Sequence, residues 1–198
     1  MDILTGQLTR LAAVNPDTAA EIIARWLHDS QFWRLAHTEP ALPMLPKNVK
    51  RALEDRPIDL HGFAIRTRRD DRLIGLIGLY TIFWPHRDAF MGINIGEREY
   101  WGKGYGTDAL RVLLRYAFDE LNLQRVSLSF LEGNERAMRS YEKCGFRHEG
   151  HERQAWAYDG RRWDEIYMGL LREEWEAMNN DKWQWSMQKA SRRNSANG

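Results

Sequence analysis

Apolar residues along the chain recur with two different periods, one typical of helices and the other of strands. From residue 107 to about Glu120 they fall three and four positions apart, which is typical of a helix with one face packed on a sheet. The same spacing predicts a helix over Asp17–Leu27, and Lys47–Glu54 is predicted as a shorter helix. A fourth helix is predicted between an Asn134 cap and Gly145. The apolar positions of the longest stripe are Leu110, Leu113, Leu114, Ala117, Phe118 and Leu121.

Alternating and continuous apolar runs predict the strands between these helices. The two residues Asp159 and Gly160 are a strong hairpin signal between two of the runs. Because two helices interrupt the series of strands, the pattern predicts an α/β fold with a mixed, mainly antiparallel sheet flanked by helices. The predicted strands are Leu8–Val14, Gly62–Thr67, Leu73–Phe83, Ala89–Ile95, the stretch around Val126, Leu128 and Phe130, Glu152–Tyr158 and Trp163–Leu171.

The length of 198 residues fits a single domain, which we place at residues 1–185. The end of the chain, residues 186–198, is mostly small and polar and is predicted to be flexible. Residues 39–46 hold three prolines and are predicted to form an ordered loop rather than a helix.

Charge and cysteine content exclude several classes of protein. With 29 basic and 28 acidic side chains the net charge is +1, and no basic stripe is present, so nucleic acid and anionic membranes are not predicted partners. No apolar run approaches the ~20 residues that span a bilayer. Cys144 is the single cysteine, so no disulfide forms within the chain and a reducing, cytoplasmic location is predicted.

The segment Trp101–Gly106 is a glycine-rich loop between a predicted strand and a predicted helix. Glycines let a ligand approach the backbone closely, and the free N–H groups of a helix start favour an anion such as a pyrophosphate. Lys103 adds a positive charge, and Thr107 is predicted to cap the helix. The spacing matches neither the dinucleotide fingerprint, which needs glycine at position 107, nor a P-loop. A tight turn that binds nothing is the alternative.

A second pair of residues, Asn134 and Tyr141, is seven positions apart and so lies near one face of one helix. Asn134 offers an amide to a ligand at the helix start, and Tyr141 offers a phenolic proton. A helix cap and a core tyrosine are the alternative interpretation.

In their order along the chain, these motifs resemble the GNAT superfamily of N-acetyltransferases. The resemblance rests on YWGKGYGTDALRVLLRYAFDELNLQRVSLSF, NERAMRSYEKCGFRHEG and DGRRWDEIYMGLLREEW, and covers roughly residues 60–175. It is strongest to the branch of ribosomal-protein N-terminal acetyltransferases and spermidine acetyltransferases. The resemblance implies an acyl-CoA N-acyltransferase fold, acetyl-CoA as co-substrate, and a homodimer as the usual assembly.

The resemblance also implies roles for individual residues. In the family the glycine-rich loop holds the CoA pyrophosphate, the asparagine supports the pantetheine arm, and the tyrosine is the general acid for the departing thiolate. Tyr141 is therefore the predicted catalytic residue, and a strand N–H near Ile95 is the predicted oxyanion donor. The predicted cofactor-binding residues are Ile95, Trp101, Gly102, Lys103, Gly104, Tyr105, Gly106, Thr107 and Asn134, and the predicted acceptor-pocket residues are Trp33, Trp84, Phe90 and Trp156.

One departure from the family concerns the step that deprotonates the amine. Many members of this branch carry a glutamate where this chain has Phe90, and that glutamate is often proposed as the base or as the anchor of a water. We therefore expect a chain of water molecules to take the proton, with Glu97 or Asp88 as other candidates. The same departure keeps open an alternative function, a non-catalytic acetyl-CoA sensor, although a mere binder has no need of Tyr141.

The predicted reaction is direct transfer of an acetyl group to a primary amine in a ternary complex. Residues 26–50 hold only Asp29 and Glu39 as carboxylates, which favours a protein N-terminus or a small amine over a polyamine. Such a transfer needs no enzyme nucleophile, so Cys144 is predicted to be structural. His148 and His151 are three apart in a predicted strand and so are expected on opposite faces, which makes a poor metal pair. No metal is predicted.

Overall fold

The structure, a computed structural model, describes residues 2–36, 40–56 and 60–179. The segment 186–198, predicted to be flexible, lies outside the described residues. The strands are β1 (Thr9–Ala12), β2 (His61–Thr67), β3 (Leu73–Phe83), β4 (Asp88–Ile95), β5 (Arg125–Leu131), β6 (Arg147–Tyr158) and β7 (Arg161–Leu171). The helices are α1 (Pro16–Leu27), α2 (Ser30–Ala36), α3 (Pro46–Glu54), α4 (Tyr105–Arg115), α5 (Glu135–Glu142) and α6 (172–179).

The seven strands form one sheet in the order β1-β2-β3-β4-β5-β7-β6. Every neighbouring pair is antiparallel except β4 and β5, which are parallel. The prediction of a mixed, mainly antiparallel sheet flanked by helices is thereby confirmed.

The central strands β4 and β5 pair over only a short length. Their ladder joins Asp88–Phe90 to Arg125–Ser127, although β4 continues to Ile95 and β5 to Leu131. Beyond the ladder the two strands diverge, and the facing edges of both lack a strand partner. This gap in the middle of the sheet sets the position of the site described below.

Helices cover both faces of the sheet, and each face has its own apolar cluster. On one face α4 packs on the strands through the predicted stripe, whose members Leu110, Leu113 and Phe118 are at most 1% exposed. On the other face α1, α2 and α3 pack together around Ile23 and Trp33. The stripe of α4 was therefore predicted correctly from its period.

The start of α4 differs from the prediction. The helix begins at Tyr105 and its cap is Gly104, with φ of 88°, whereas Thr107 was predicted to be the cap. Gly104 adopts this left-handed conformation without the steric penalty of a Cβ, so the chain turns into the helix earlier than Thr107. Thr107 lies inside the first turn, where its hydroxyl donates to Ser140 Oγ at 3.2 Å. At the far end the helix continues as a π-helical turn, Tyr116–Glu120.

The C-terminal hairpin turns at Asp159 and Gly160 as predicted, with φ of 52° and 73°. Its strands are longer than predicted, and β6 begins at Arg147. β6 also contains a bulge between His148 and Gly150, so His148 lies opposite Met168 and His151 lies opposite Ile166. The prediction that the two histidines face opposite sides is therefore wrong, because the bulge resets the alternation; their rings are 6.5 Å apart.

Asp108 fastens the N-terminal segment to α4. It is 8% exposed, and its carboxylate accepts hydrogen bonds from the backbone N–H groups of Gln7, Leu8 and Thr9 and from the Thr9 hydroxyl, at 2.7–3.0 Å. These contacts hold the entry to β1 against the first turn of α4.

Candidate active site

A cavity of about 610 Å³ occupies the gap where β4 and β5 diverge. Its walls are the diverging parts of these two strands, the first turn of α4 and one side of α5. At one end it is bounded by α2 and by the hairpin of β6 and β7. The cavity therefore crosses the middle of the sheet.

The β4 edge of this cavity offers unpaired backbone groups. The Gly96 N–H donates to the Ile74 carbonyl at 2.9 Å, and in an antiparallel ladder alternate residues point to the same side. Asn94 is therefore directed at β3, whereas the backbone groups of Ile93 and Ile95 are directed into the gap. Since β5 does not pair with this part of β4, the N–H groups of Ile93 and Ile95 are available to a ligand.

The first turn of α4 contributes a second set of donors. The first bond of the helix runs from the Asp108 N–H to the Gly104 carbonyl at 2.9 Å, which leaves the N–H groups of residues 105–107 without an intrahelical acceptor. Gly104 has no side chain that caps them. Free N–H groups and the positive end of the helix dipole together favour a phosphate-like anion at this end of the cavity.

Trp101 forms part of the wall next to this helix start. Its indole N–H donates to the Ile95 carbonyl at 2.7 Å, and the guanidinium of Arg136 lies 3.8 Å from the ring centroid. Burial, and then the nearby charge of Arg98, lower the pKa of Arg136. Trp101 thus provides a hydrogen-bond donor for the Ile95 carbonyl at the β4 edge, and its ring holds the Arg136 guanidinium at the cavity wall.

On α5 the side chains of Asn134 and Tyr141 both line the cavity. Asn134 caps the helix by accepting from the Ala137 N–H at 3.2 Å, which leaves its amide N–H₂ for other partners. The Tyr141 ring is 6% exposed and packs against Phe130 and Phe146, with ring centroids 5.4 Å and 5.9 Å away. Burial raises the pKa of the Tyr141 phenol, which therefore stays protonated at neutral pH.

Among the described residues, the end of the cavity near α2 is aromatic and carries one carboxylate. Tyr80 of β3, Trp156 of β6 and Glu165 of β7 line this end. Arg34 of α2 forms an ion pair at 2.7 Å with Asp159 at the hairpin tip, so α2 and the hairpin meet across the cavity.

Nine of the predicted site residues do line the cavity: Ile95, Trp101, Gly102, Gly104, Gly106, Thr107, Asn134, Tyr141 and Trp156. Five others lie elsewhere. Lys103 and Tyr105 border a smaller pocket of about 160 Å³, Trp33 is buried in the core of α1, α2 and α3, and Trp84 is 51% exposed. Phe90 packs against Tyr80 with ring centroids 6.2 Å apart and is not part of the cavity wall.

Several residues of the wall were not found from the sequence. They include two cations of α5 and a third at its C-cap, a tyrosine of β3, an asparagine of β4 and a carboxylate of β7: Arg136, Arg139, Lys143, Tyr80, Asn94 and Glu165. The cations follow the Asn134 cap at helical spacing, which is a signal that the sequence does contain. The side-chain oxygen Oδ1 of Asn94 is buried and has no hydrogen-bond partner. Among the described residues it is the one buried side-chain polar atom of this kind.

Three other predicted candidates have different surroundings. Glu97 is held by Arg25, Arg72 and the Trp26 indole, and neither it nor Asp88 lines the cavity. Cys144 is buried, and its Sγ donates to the Thr107 carbonyl at 3.7 Å. Within residues 2–36, 40–56 and 60–179, no group of three or more His, Cys, Asp or Glu side chains is arranged to hold a metal.

A family model described as the acetyltransferase (GNAT) domain matches residues 9–147. The chain belongs to the GNAT acetyltransferase family. The match extends from β1 to the start of β6, so it includes the cavity walls formed by β4, α4, β5 and α5.

Among GNAT relatives, YdaF of Bacillus subtilis (strain 168), provisionally named a ribosomal N-acetyltransferase, is 38% identical over 118 residues, 60% of this chain and 64% of YdaF. The spermidine N(1)-acetyltransferase of Vibrio cholerae is 37% identical over 99 residues, 50% of this chain and 57% of that protein. The chain thus spans less than two thirds of the length of either relative.

A solved GNAT structure, spermidine N-acetyltransferase from Vibrio cholerae in complex with CoA and spermine, matches with a TM-score of 0.76 and 25% identity. The match covers 85% of this chain and 98% of that one, which confirms the predicted fold. No helix in the described part of this chain combines the length and the apolar character needed to cross a membrane.

Proposed function

We propose that this protein transfers an acetyl group from acetyl-CoA to a primary amine. The observation that carries the proposal is that three kinds of group surround one cavity. They are the unpaired N–H groups of the β4 edge, the uncapped N-terminus of α4, and the buried phenol of Tyr141. When bound, acetyl-CoA supplies the acetyl group in activated form, as a thioester.

The residues present fit that co-substrate. The N–H groups of residues 105–107 suit a pyrophosphate, and Arg136, Arg139 and Lys143 place three positive charges along the cavity wall formed by α5. The free N–H groups of Ile93 and Ile95 suit the amide carbonyls of an extended pantetheine arm. The arm would then pair with β4 as an added strand does. The Asn134 amide is in reach of the same arm.

Two groups of the chain serve the chemical step. The Ile95 N–H is the proposed donor to the thioester carbonyl oxygen, and one donor of this kind is worth roughly 3 kcal/mol in the transition state. Tyr141 is the proposed general acid that protonates the departing thiolate sulfur. Burial, which raises the pKa of Tyr141, keeps that proton in place until the sulfur leaves.

The acceptor is proposed to enter at the aromatic end of the cavity, between α2 and the β6–β7 hairpin. A polyamine is usually held by several carboxylates, and the described residues that line the cavity include only Glu165. Tyr80 and Trp156 suit a less charged partner. We therefore propose a single amine, such as a protein N-terminus or a small alkyl amine, as the acceptor class.

The proposal is tested by two measurements on the parent protein. Calorimetry is expected to give micromolar-range binding of acetyl-CoA, and a panel of amines assayed by release of free thiol is expected to contain a substrate. Tight binding with no thiol release for any amine would favour a non-catalytic acetyl-CoA sensor. Absence of binding would contradict both functions.

Gly104→Ala is expected to weaken acetyl-CoA binding by about tenfold or more. At φ of 88° a Cβ costs ~1–2 kcal/mol, and relief of that strain moves the N–H groups of residues 105–107 away from the pyrophosphate. Gly160→Ala is the matched control, because its φ is 73° but it lies in the hairpin turn. Equal Kd values for Gly104→Ala and the parent would remove the loop from the binding site.

A further inference from the structure

The described cavity wall contains a single carboxylate, and it is not on β4. On β4, Phe90 is outside the wall and packs against Tyr80. Of the charged residues that line the cavity, Arg34, Arg136, Arg139 and Lys143 are cations and Glu165 alone is an anion. Among the described residues that line the cavity, Glu165 is therefore the one carboxylate able to accept a proton from an ammonium group.

Glu165 is located at the acceptor end, on β7. It lies opposite Leu131 of β5 and Glu152 of β6, and it lines the cavity together with Tyr80 and Trp156. Tyr80 reaches this end by leaning across β4 at Gly92, where a Cβ would lie 3.4 Å from Tyr80 Cε1. The carboxylate therefore comes from the β5 side of the gap and not from β4.

The carboxylate is held in place by a neighbouring phenol. The Tyr167 hydroxyl donates to Glu165 Oε2 at 3.2 Å and to Glu152 Oε2 at 3.4 Å. Burial, and then the charge of Glu165, raise the pKa of Tyr167 to about 12, so Tyr167 stays a donor and does not take the proton itself. Tyr167 therefore positions Glu165.

Among the residues that the structure describes, the other titratable groups near Glu165 leave it as the acceptor of the proton. Burial and the charge of Glu165 raise the pKa of Tyr80, which faces the same end of the cavity from β3. Glu152, across the strand pair, is exposed and is not part of the cavity wall. Arg34 of α2 is engaged with Asp159 at the hairpin tip. None of these groups offers a second base inside the cavity.

We propose that Glu165 of β7 is the general base that deprotonates the acceptor amine. This inference rests on the proposed acetyl transfer. Glu165 takes one proton from the ammonium nitrogen, whose lone pair then forms the C–N bond at the thioester carbonyl carbon. The C–S bond breaks, and Tyr141 gives its proton to the sulfur. The second proton lost by the nitrogen restores Tyr141, so one proton is released to solvent for each amide and free thiol formed.

A base at this position predicts a particular pH dependence. Without a base only the neutral amine reacts, so kcat/KM rises about tenfold per pH unit up to the pKa of the amine, ~10.4 for an alkyl amine and ~7.7–8.0 for an N-terminal amine. With Glu165 as the base the ammonium form is productive. For an alkyl amine, kcat/KM of the parent is then expected to be nearly level between about pH 6.5 and 8.5.

The test compares Glu165→Gln with the matched control Glu152→Gln across this pH range. Glu165→Gln keeps an oxygen for the Tyr167 bond, and at pH 7 it is expected to lower kcat roughly 10²–10⁴-fold and to restore the tenfold rise per pH unit. Glu152→Gln is expected to keep the parent rate and profile. Glu165→Asp, which retains a carboxylate, is expected to keep the level profile at a reduced rate.

Thermal melting and acetyl-CoA calorimetry accompany each variant, so that loss of fold or of co-substrate binding is measured separately. The proposal is overturned if Glu165→Gln keeps the parent kcat and profile, which would favour a water chain, or if it raises only KM, which would make Glu165 an amine-binding residue. A parent protein that releases no thiol with any amine contradicts the proposed function itself. That outcome is distinguishable, because it appears before any variant is made.

Discussion

Tyr141→Phe is expected to lower kcat by roughly 10²–10⁴-fold while leaving KM for acetyl-CoA nearly unchanged. The substitution removes one hydroxyl, and the ring keeps its contacts with Phe130 and Phe146. Ligand binding and folding are therefore preserved while the departing thiolate loses its proton donor. Steady-state kinetics with free-thiol detection at pH 7 measures the effect.

Tyr116→Phe is the matched control for this variant. It also removes one phenolic hydroxyl, which contacts His61 Nδ1 at 2.8 Å, but Tyr116 is not part of the cavity wall. Its kcat is expected to equal that of the parent. An unchanged kcat in Tyr141→Phe, together with a single-turnover rate equal to the parent's, would exclude Tyr141 as the acid.

Asp108→Ala is expected to lower the free energy of unfolding by about 3 kcal/mol or more. Four donors lose their acceptor, and a hydrogen bond to a charged group contributes roughly 1.5–3 kcal/mol even though such contributions do not add fully. In a chain of this length each kcal/mol corresponds to ~2–4 °C, so Tm is expected to fall by roughly 6–12 °C.

Asp108→Asn removes the negative charge but keeps one acceptor oxygen, so it distinguishes the effect of the charge from the effect of the hydrogen bonds. Oδ2 accepts three of the four hydrogen bonds and Oδ1 accepts one, so the amide retains most of the acceptors and about half of the loss is expected. Because Asp108 does not line the cavity, both variants are expected to keep the parent kcat at low temperature. A Tm within 2 °C of the parent in Asp108→Ala would contradict this account, since that corresponds to less than ~1 kcal/mol.

Most elements of the fold were predictable, because their signals are local. The apolar period of α4 and the turn at Asp159 and Gly160 each depend on neighbouring residues only. The helix α2 was not predicted, since seven residues are too few to establish a period. Its start does have a signal in the sequence, because Asp29 Oδ1 accepts from the N–H groups of Gln31 and Phe32.

Most of the predicted residues that line the cavity belong to motifs, with Ile95 and Trp156 as the exceptions. Trp101 and the three glycines of the loop belong to one motif, and Asn134 and Tyr141 belong to another, so the sequence identified them. The position of Glu165 depends on the pairing of β7 with β5, where it lies opposite Leu131, and no local motif marks this long-range register. Tyr80 reaches the cavity because Gly92, on the neighbouring strand, has no side chain. The two residues are far apart in sequence, so no local pattern predicts this contact.

The divergence of β4 and β5 makes individual amides of β4 reporters of ligand binding. The amides of Ile93 and Ile95 are expected to exchange with deuterium rapidly in the free protein, because they face the gap without a strand partner. The Asn94 amide, between them in sequence, is directed at β3 and is expected to exchange slowly. Occupancy by acetyl-CoA should slow Ile93 and Ile95 and leave Asn94 unchanged, so this alternation maps the bound arm even when no acceptor amine is known.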